Sequence, residues 1–279
     1  MKLGISSYTF GWAVGVRGSE PVCPLDEMGL LDKAHELKVG LLQIGDNIPL
    51  VAMDAGRIDR LADRAASERI KLEIGGRGLK PDNVAAHIAL AFRLEADLLR
   101  FVIDDADYHP EPDDVIPILR AAVPRLESNN VTLGIENHDR FSARTLQRII
   151  EEVGSARIGI CLDTANSLGA GEGVTEVAAT LAPWTVNLHV KDFAIERLPY
   201  LMGFTITGRP AGAGVLDLRS LLALLQRYDR CRTAVLELWT PPEGSIAATI
   251  AKEQAWAVQS IDYLRPFFTN QHAPISHAA

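Results

Sequence analysis

Four stretches of this chain are apolar and β-like, and each runs into a side chain able to hold a metal ion. They are 131–136, closing on Glu136; 158–163, closing on Asp163; 185–189, closing on His189; and 233–237, closing on Glu237. A charged or imidazole group at the end of a buried strand is costly unless something there needs it. Two glutamates, an aspartate and a histidine would give one divalent cation a set of oxygen and nitrogen ligands. In the alternative reading each is a lone polar residue that caps the next helix or pairs with a neighbour. That reading has to hold four times over.

Four such ends need a scaffold that brings them together. Strand-like runs recur near 2–7, 40–45, 70–75, 98–103, 131–136, 157–163, 185–190 and 232–238, with segments of helical apolar spacing between them. Strict alternation of this kind implies a parallel sheet with right-handed crossovers. Eight repeats in 279 residues predict the α/β class and a closed (β/α)8 TIM barrel, a single catalytic domain over 1–268 with 269–279 as a loosely ordered tail. An open doubly wound sheet would carry a glycine-rich phosphate turn after the first strand, and Ser7-Tyr8-Thr9-Phe10-Gly11-Trp12 is not one. In a barrel the strand C-termini converge on one face, where chemistry happens. Pro117 and Pro124 predict a kinked or broken helix over 113–127.

The residues around the four ends sharpen the reading. Glu136-Asn137-His138, Asp163-Thr164-Ala165-Asn166 and His189-Val190-Lys191-Asp192-Phe193 resemble the xylose isomerase-like barrel superfamily. That group includes sugar and sugar-phosphate isomerases and epimerases, and also endonuclease IV. The resemblance covers nearly the whole chain in strand order. It implies one divalent ion, Mn2+, Mg2+, Co2+ or Zn2+, on Glu136, Asp163, His189 and Glu237, with Glu136 and Glu237 also moving protons. Many relatives place a histidine three residues after the strand-six aspartate, where it contacts substrate; this chain has Asn166. An amide hydrogen-bonds a hydroxyl or carbonyl but is neither acid nor base near neutral pH. The substrate, the reaction or both therefore depart from the ordinary epimerase.

Other residues fill in a pocket. His138 reads as a substrate contact or as a partner orienting a ligand. Lys191 and Tyr8 read as substrate-binding, although Tyr8, Phe10 and Trp12 suit core packing equally well. The segment 191–216 is long for a βα loop, holds no helical pattern and carries Arg197 and Arg209. It reads as a lid whose arginines grip a carboxylate or phosphate, or else as a solvated excursion. Gln43, Asp46, Asn47, Glu73, Arg77 and Arg100 read as pocket lining, with Glu73 and Arg100 paired, and Cys161 as a small buried apolar residue.

Composition narrows the partners. A formal charge of −8, from 28 basic and 36 acidic residues, speaks against non-specific nucleic-acid binding. Three cysteines make no disulfide framework, the N-terminus is too short in apolar length for a signal peptide, and no apolar run reaches the roughly 18–20 residues of a membrane span. A cytoplasmic protein is expected, as a monomer or a homo-oligomer. The expected function is a divalent-metal isomerase or epimerase of a small, anionic sugar derivative, working through an enediolate. The alternative is a metal-dependent lyase that decarboxylates a 3-oxo sugar acid to the same enediolate. A repair nuclease like endonuclease IV would want several more histidines and a positive surface. A non-catalytic barrel would have no use for four intact ligand positions.

Overall fold

A computed structural model describes residues 1–138 and 140–269. The strands of the barrel are β1 (Lys2–Ser6), β2 (Leu41–Ile44), β3 (Lys71–Arg77), β4 (Leu98–Val102), β5 (Thr132–Glu136), β6 (Ile158–Asp163) and β7 (Thr185–Val190). A hairpin, β8 (Asp192–Arg197) and β9 (Phe204–Arg209), intervenes before the last barrel strand, β10 (Thr233–Leu236). The eight barrel strands close in the order β1-β10-β7-β6-β5-β4-β3-β2, all parallel. This is the expected TIM barrel. Around it lie α1 (Gly11–Val14), α2 (Glu27–Glu36), α3 (Ala55–Glu68), α4 (Pro81–Arg93), α5 (Pro112–Ser128), α6 (Ala143–Val153), α7 (Val174–Leu181), α8 (Leu218–Gln226) and α9 (Ile246–Thr269). Of the expected tail, Thr269 closes α9 and residues 270–279 lie outside the described residues.

Strand alternation divides the side chains between two environments. Ile5, Leu42, Ile74, Phe101, Ile135, Leu162, Leu188 and Leu236 belong to the apolar core packed with the helices. The register aligns the opposite set across neighbouring strands: Ser6 with Gln43, Gln43 with Glu73, Glu136 with Cys161, and Asp163 with His189. The lumen is therefore polar. One irregularity makes the last of these pairings work. The register slips between Ile160 and Cys161, leaving Val186 as the extra residue between Thr185 and Asn187. A bulge of this kind re-aims the side chains beyond it. A Cβ on Gly159 would lie 2.6 Å from a methyl of Val186, so the glycine makes room for it.

Two expectations are corrected. Helix α5 runs unbroken through Pro117 and Pro124. The packing of its buried face, Val115, Ile116, Leu119, Ala122 and Leu126, outweighs two missing backbone donors. The segment 191–216 is not a loop: most of it is the β8–β9 hairpin. Its base is tied by Asp192, whose carboxylate accepts the amides of Phe193, Gly212, Gly214 and Leu216 at 2.8–3.1 Å. Only glycine fits at 214, where a Cβ would stand 2.2 Å from that carboxylate.

Helix α9 carries a carboxylate into the interior. Glu253 is 1% exposed and accepts the amides of Trp12 and Ala13 at 3.0 and 3.1 Å. Burial pushes it up to about 7 against the pull of those two amides. The unfolded chain ionises this group near its ordinary value of about 4.3. Between these values the folded state binds more protons than the unfolded, so this contribution to stability falls as pH rises from about 4.5 to 7 and is flat above. Thermal midpoints of wild type and Glu253→Gln across pH 5–8 should converge at low pH and separate by roughly 2–6 °C toward pH 8, with wild type losing more. A constant difference across the range would show that Glu253 does not titrate there.

Candidate active site

Each of the four ligand-type residues sits where its strand delivers it, and all four are buried. Glu136 and Asp163 are the last residues of β5 and β6, His189 is next to last in β7, and Glu237 follows β10. His189 is the hub. Its Nδ1 lies 3.2 Å from Glu237 Oε1, 3.6 Å from Glu136 Oε2 and 3.8 Å from Asp163 Oδ2. That nitrogen is buried and makes no hydrogen bond. On the other side of the ring, Nε2 lies 2.7 Å from Gln43 Oε1 and 3.0 Å from Cys161 Sγ.

This geometry tests whether a cation fits. A buried ring nitrogen without a hydrogen bond, 3.2–3.8 Å from three carboxylate oxygens, is placed as a donor to a shared cation would be. Ligand bonds of about 2.0–2.2 Å place neighbouring donors about 3.0–3.4 Å apart. The spacing to Glu237 falls in that range, and the other two are slightly wider. Two groups, Asp163 with His189 and Glu237, and Glu136 with Cys161 and His189, each offer donor atoms within 4.8 Å of one another. Cys161 Sγ lies against His189 Nε2, on the far side of the ring from the nitrogen that faces the carboxylates. The donor set is then three carboxylates and one imidazole, which suits a divalent ion.

Resident cations hold the carboxylates in place. Arg100, from β4, donates Nε to Glu136 Oε2 and Nη1 to Asp46 Oδ1, the latter at 2.6 Å. Asp46 also takes Arg77 Nε at 2.7 Å. Burial disfavours the charge on Arg100, but Glu136 and Asp46 more than offset it and raise the group further. Lys191 Nζ stands 2.8 Å from Asp163 Oδ2, 3.0 Å from Glu237 Oε2 and 3.3 Å from Asn166 Oδ1. It too is raised, since Asp163 and Glu237 outweigh its burial. Burial opposes the charge on Glu237, but Lys191 and Arg100 face it and hold its carboxyl well below the usual range. Ser6 Oγ donates to the remaining Glu237 oxygen at 3.0 Å. Asn166 Nδ2 donates to Glu136 Oε1 at 2.7 Å, so one amide spans Glu136 and Lys191.

Comparison with known proteins places this arrangement. The description "Xylose isomerase-like TIM barrel" matches residues 79–267. The chain belongs to that family. It is 32% identical over 264 residues, 95% of both chains, to a 3-oxo-isoapionate decarboxylase of Pectobacterium atrosepticum. In fold it is similar to a D-psicose 3-epimerase of Clostridium cellulolyticum H10 solved with D-tagatose, with a TM-score of 0.71, 15% identity and coverage of 96% and 99% of the two chains. It is also similar to a family member from Mycobacterium smegmatis in complex with magnesium, with a TM-score of 0.69, 16% identity and coverage of 94% and 97%.

Within the family fold, the expected residues divide into those at the cluster and those away from it. Lys191 and Asn166 join the ligand residues directly. Tyr8 is partly buried beside them, with Arg100 Cζ 5.7 Å from its ring centre. It lines a cavity of about 490 Å³ with Trp12, Ile206, Trp239 and Leu238, the residue that follows Glu237. His138 lies just beyond β5, half-buried. Arg197 and Arg209 are not brought to the cluster. Arg197 donates to Leu201 O and covers the Phe204 ring at 4.6 Å, and Arg209 pairs with Glu196 at 2.7 Å. Arg100 pairs with Glu136 and Asp46, not with Glu73, which lies deeper in the lumen. Sequence reasoning assigned Gln43, Asp46 and Arg100 no role beyond lining, and missed Ser6. A lone arginine in Leu98-Leu99-Arg100-Phe101-Val102 is a signal in itself, because an unpaired buried guanidinium is rare.

Elemental analysis should find about one divalent ion per chain in wild type and loss of most of it in Asp163→Ala and His189→Ala, with far-UV circular dichroism unchanged. Full occupancy in both variants would remove these residues from any metal site.

Proposed function

We propose that this chain is a divalent-metal-dependent lyase of carbohydrate catabolism that decarboxylates a 3-oxo sugar acid. The observation that carries the reading is Lys191, a buried ammonium inside the ligand cluster. The similarity to a decarboxylase along 95% of the chain supports it. An isomerase or epimerase, the first expectation from sequence, needs two carboxylates free to exchange protons on opposite faces of the substrate. Here both oxygens of Glu136 are engaged by Arg100 and Asn166, and both oxygens of Glu237 by Ser6 and Lys191.

A 3-oxo acid makes smaller demands. The bond between the carboxyl carbon and C2 breaks, and carbon dioxide leaves. The bonding pair forms a C2–C3 double bond and places negative charge on the C3 oxygen. A proton then returns to C2. A divalent ion on Glu136, Asp163, His189 and Glu237 supplies Lewis-acid polarisation of substrate oxygens when bound. Lys191 supplies positive charge beside that oxygen from a buried position, where it counts for most. It also bears a proton that a strongly basic enediolate carbon can take. Asn166 orients a substrate hydroxyl or carbonyl without competing for protons. Trp12, Trp239 and Tyr8 wall the approach, and Trp239 also covers Lys191, with Nζ 5.4 Å from its ring centre. The three cysteines are all unpaired, which accords with a reducing compartment. Among the described residues no helix is long and apolar enough to cross a membrane.

The test is to supply a 3-oxo sugar acid with Mn2+ or Mg2+ in deuterium oxide. Carbon dioxide release with one deuterium on the carbon that was C2 of the substrate is expected. Deuterium exchange into intact substrate or a free sugar, without loss of carbon dioxide, would restore the epimerase reading. Lys191→Met should lower kcat by about 10²- to 10⁴-fold with a smaller change in KM. Arg197→Ala should leave both nearly unchanged, since that guanidinium is held within the hairpin.

A further inference from the structure

Beneath His189 a chain of hydrogen bonds descends into the lumen and ends on one carboxylate. Glu73 Oε2 receives Gln43 Nε2 at 3.0 Å and Asn187 Nδ2 at 3.3 Å. A carboxylate oxygen in this position accepts, so both amides must turn their NH2 groups toward it. Their oxygens then point elsewhere. Gln43 Oε1 meets His189 Nε2 at 2.7 Å. Asn187 Oδ1 accepts the Cys161 thiol at 2.9 Å, which leaves that sulfur, 3.0 Å from the same Nε2, as a weak acceptor. Two routes therefore lead from Glu73 to one ring nitrogen, and both present acceptors to it. His189 must carry its proton on Nε2, which leaves the Nδ1 lone pair aimed among Glu136, Asp163 and Glu237.

We propose that Glu73 is a positioning residue that fixes the His189 tautomer through Gln43 and Asn187, and so prepares Nδ1 to ligate a divalent ion. The inference rests on the metal site proposed above. Glu73 touches neither substrate nor any ligand of that site. Its presence carries a cost: the residue is fully buried, and burial pushes it up to about 7 against its hydrogen bonds with Thr233 and Gln43. An apolar residue would fill the space without that cost. It would also let the Gln43 amide turn over, present NH2 to Nε2 and send the ring proton to Nδ1, where it would block the ion.

Calorimetric titration with Mn2+ tests this on wild type, Glu73→Met and Glu73→Gln. Met removes the acceptor the two amides share, leaving Gln43 only the longer bond to Asn187 Oδ1 at 3.3 Å and Asn187 its bond to Thr233 Oγ1 at 2.8 Å; at pH 8 it also removes a buried charge, so the variant should fold. Gln keeps an acceptor oxygen for Gln43. Groups bonded directly to a ligand typically change metal affinity about 10- to 100-fold; Glu73 stands one step further out, and the expected loss for Glu73→Met is at the lower end, about 10-fold. Glu73→Gln should stay within about threefold of wild type, a conservative rescue that a packing role would not distinguish. Nitrogen NMR of the Zn2+-loaded proteins gives a second readout. His189 should be protonated on Nε2 in wild type and Glu73→Gln, with that population reduced in Glu73→Met. Wild type that takes up no ion overturns the metal reading and this inference with it. Wild type and Glu73→Met binding Mn2+ equally, or Glu73→Gln losing as much as Glu73→Met, overturns the role of Glu73 alone.

Discussion

Three carboxylates and an imidazole converge at the barrel mouth, and nearly everything nearby answers the cost of putting them there. Isolated buried charges are prohibitive, and paired ones survive only when their remaining hydrogen-bonding capacity is filled. Arg100 answers Glu136, Lys191 answers Asp163 and Glu237, and Ser6 and Asn166 occupy the oxygens left over. Arg100 is in turn fixed by Asp46, which Arg77 also holds. The cluster is thus a balanced network that extends across strands β1 to β7 and β10. Removing one partner leaves an opposite charge stranded, so its members are expected to act as a unit.

The balance bears on chemistry as well as stability. Resident cations reduce the negative field of the three carboxylates without cancelling it. Arg100 has a planar head anchored on both Glu136 and Asp46, so it belongs to the framework. Lys191 has a flexible stem and shares its ammonium among three oxygens, so it is the member able to turn toward an incoming substrate. Its position immediately before Asp192 ties that freedom to the hairpin base, where four backbone amides grip one carboxylate.

Much of this is legible in the sequence because alternation along a strand is a local signal. The β-runs ending at Glu136, Asp163, His189 and Glu237 announce both the barrel and the convergence of these four side chains. The hidden part depends on distance across the barrel or on a single backbone irregularity. Nothing local pairs Arg100 with Asp46, which is 54 residues away in sequence, and Cys161 reads as apolar because its partners lie on other strands. The Val186 bulge shifts pairing by one residue without a turn signal. The hairpin reads as a loop because its glycines dominate the segment, although Phe193 to Ile195 and Phe204 to Ile206 do alternate. Pro117 and Pro124 mislead in the opposite sense, since the apolar face of α5 packs well enough to carry both.

The polar lumen divides labour inside the molecule. A TIM barrel commonly fills its interior with layers of branched apolar side chains. Here Gln43, Glu73, Asn187 and Thr233 occupy that space as a hydrogen-bonded column. The interior contributes little hydrophobic free energy, and cohesion must come from the annulus between strands and helices, where Ile5, Leu42, Phe101, Ile135 and Leu188 lie. Stability and reactivity are thereby written on opposite faces of the same strands. Inward positions are free to diversify toward new substrates as long as their hydrogen bonds close, and outward positions are free to vary in packing without disturbing the chemistry.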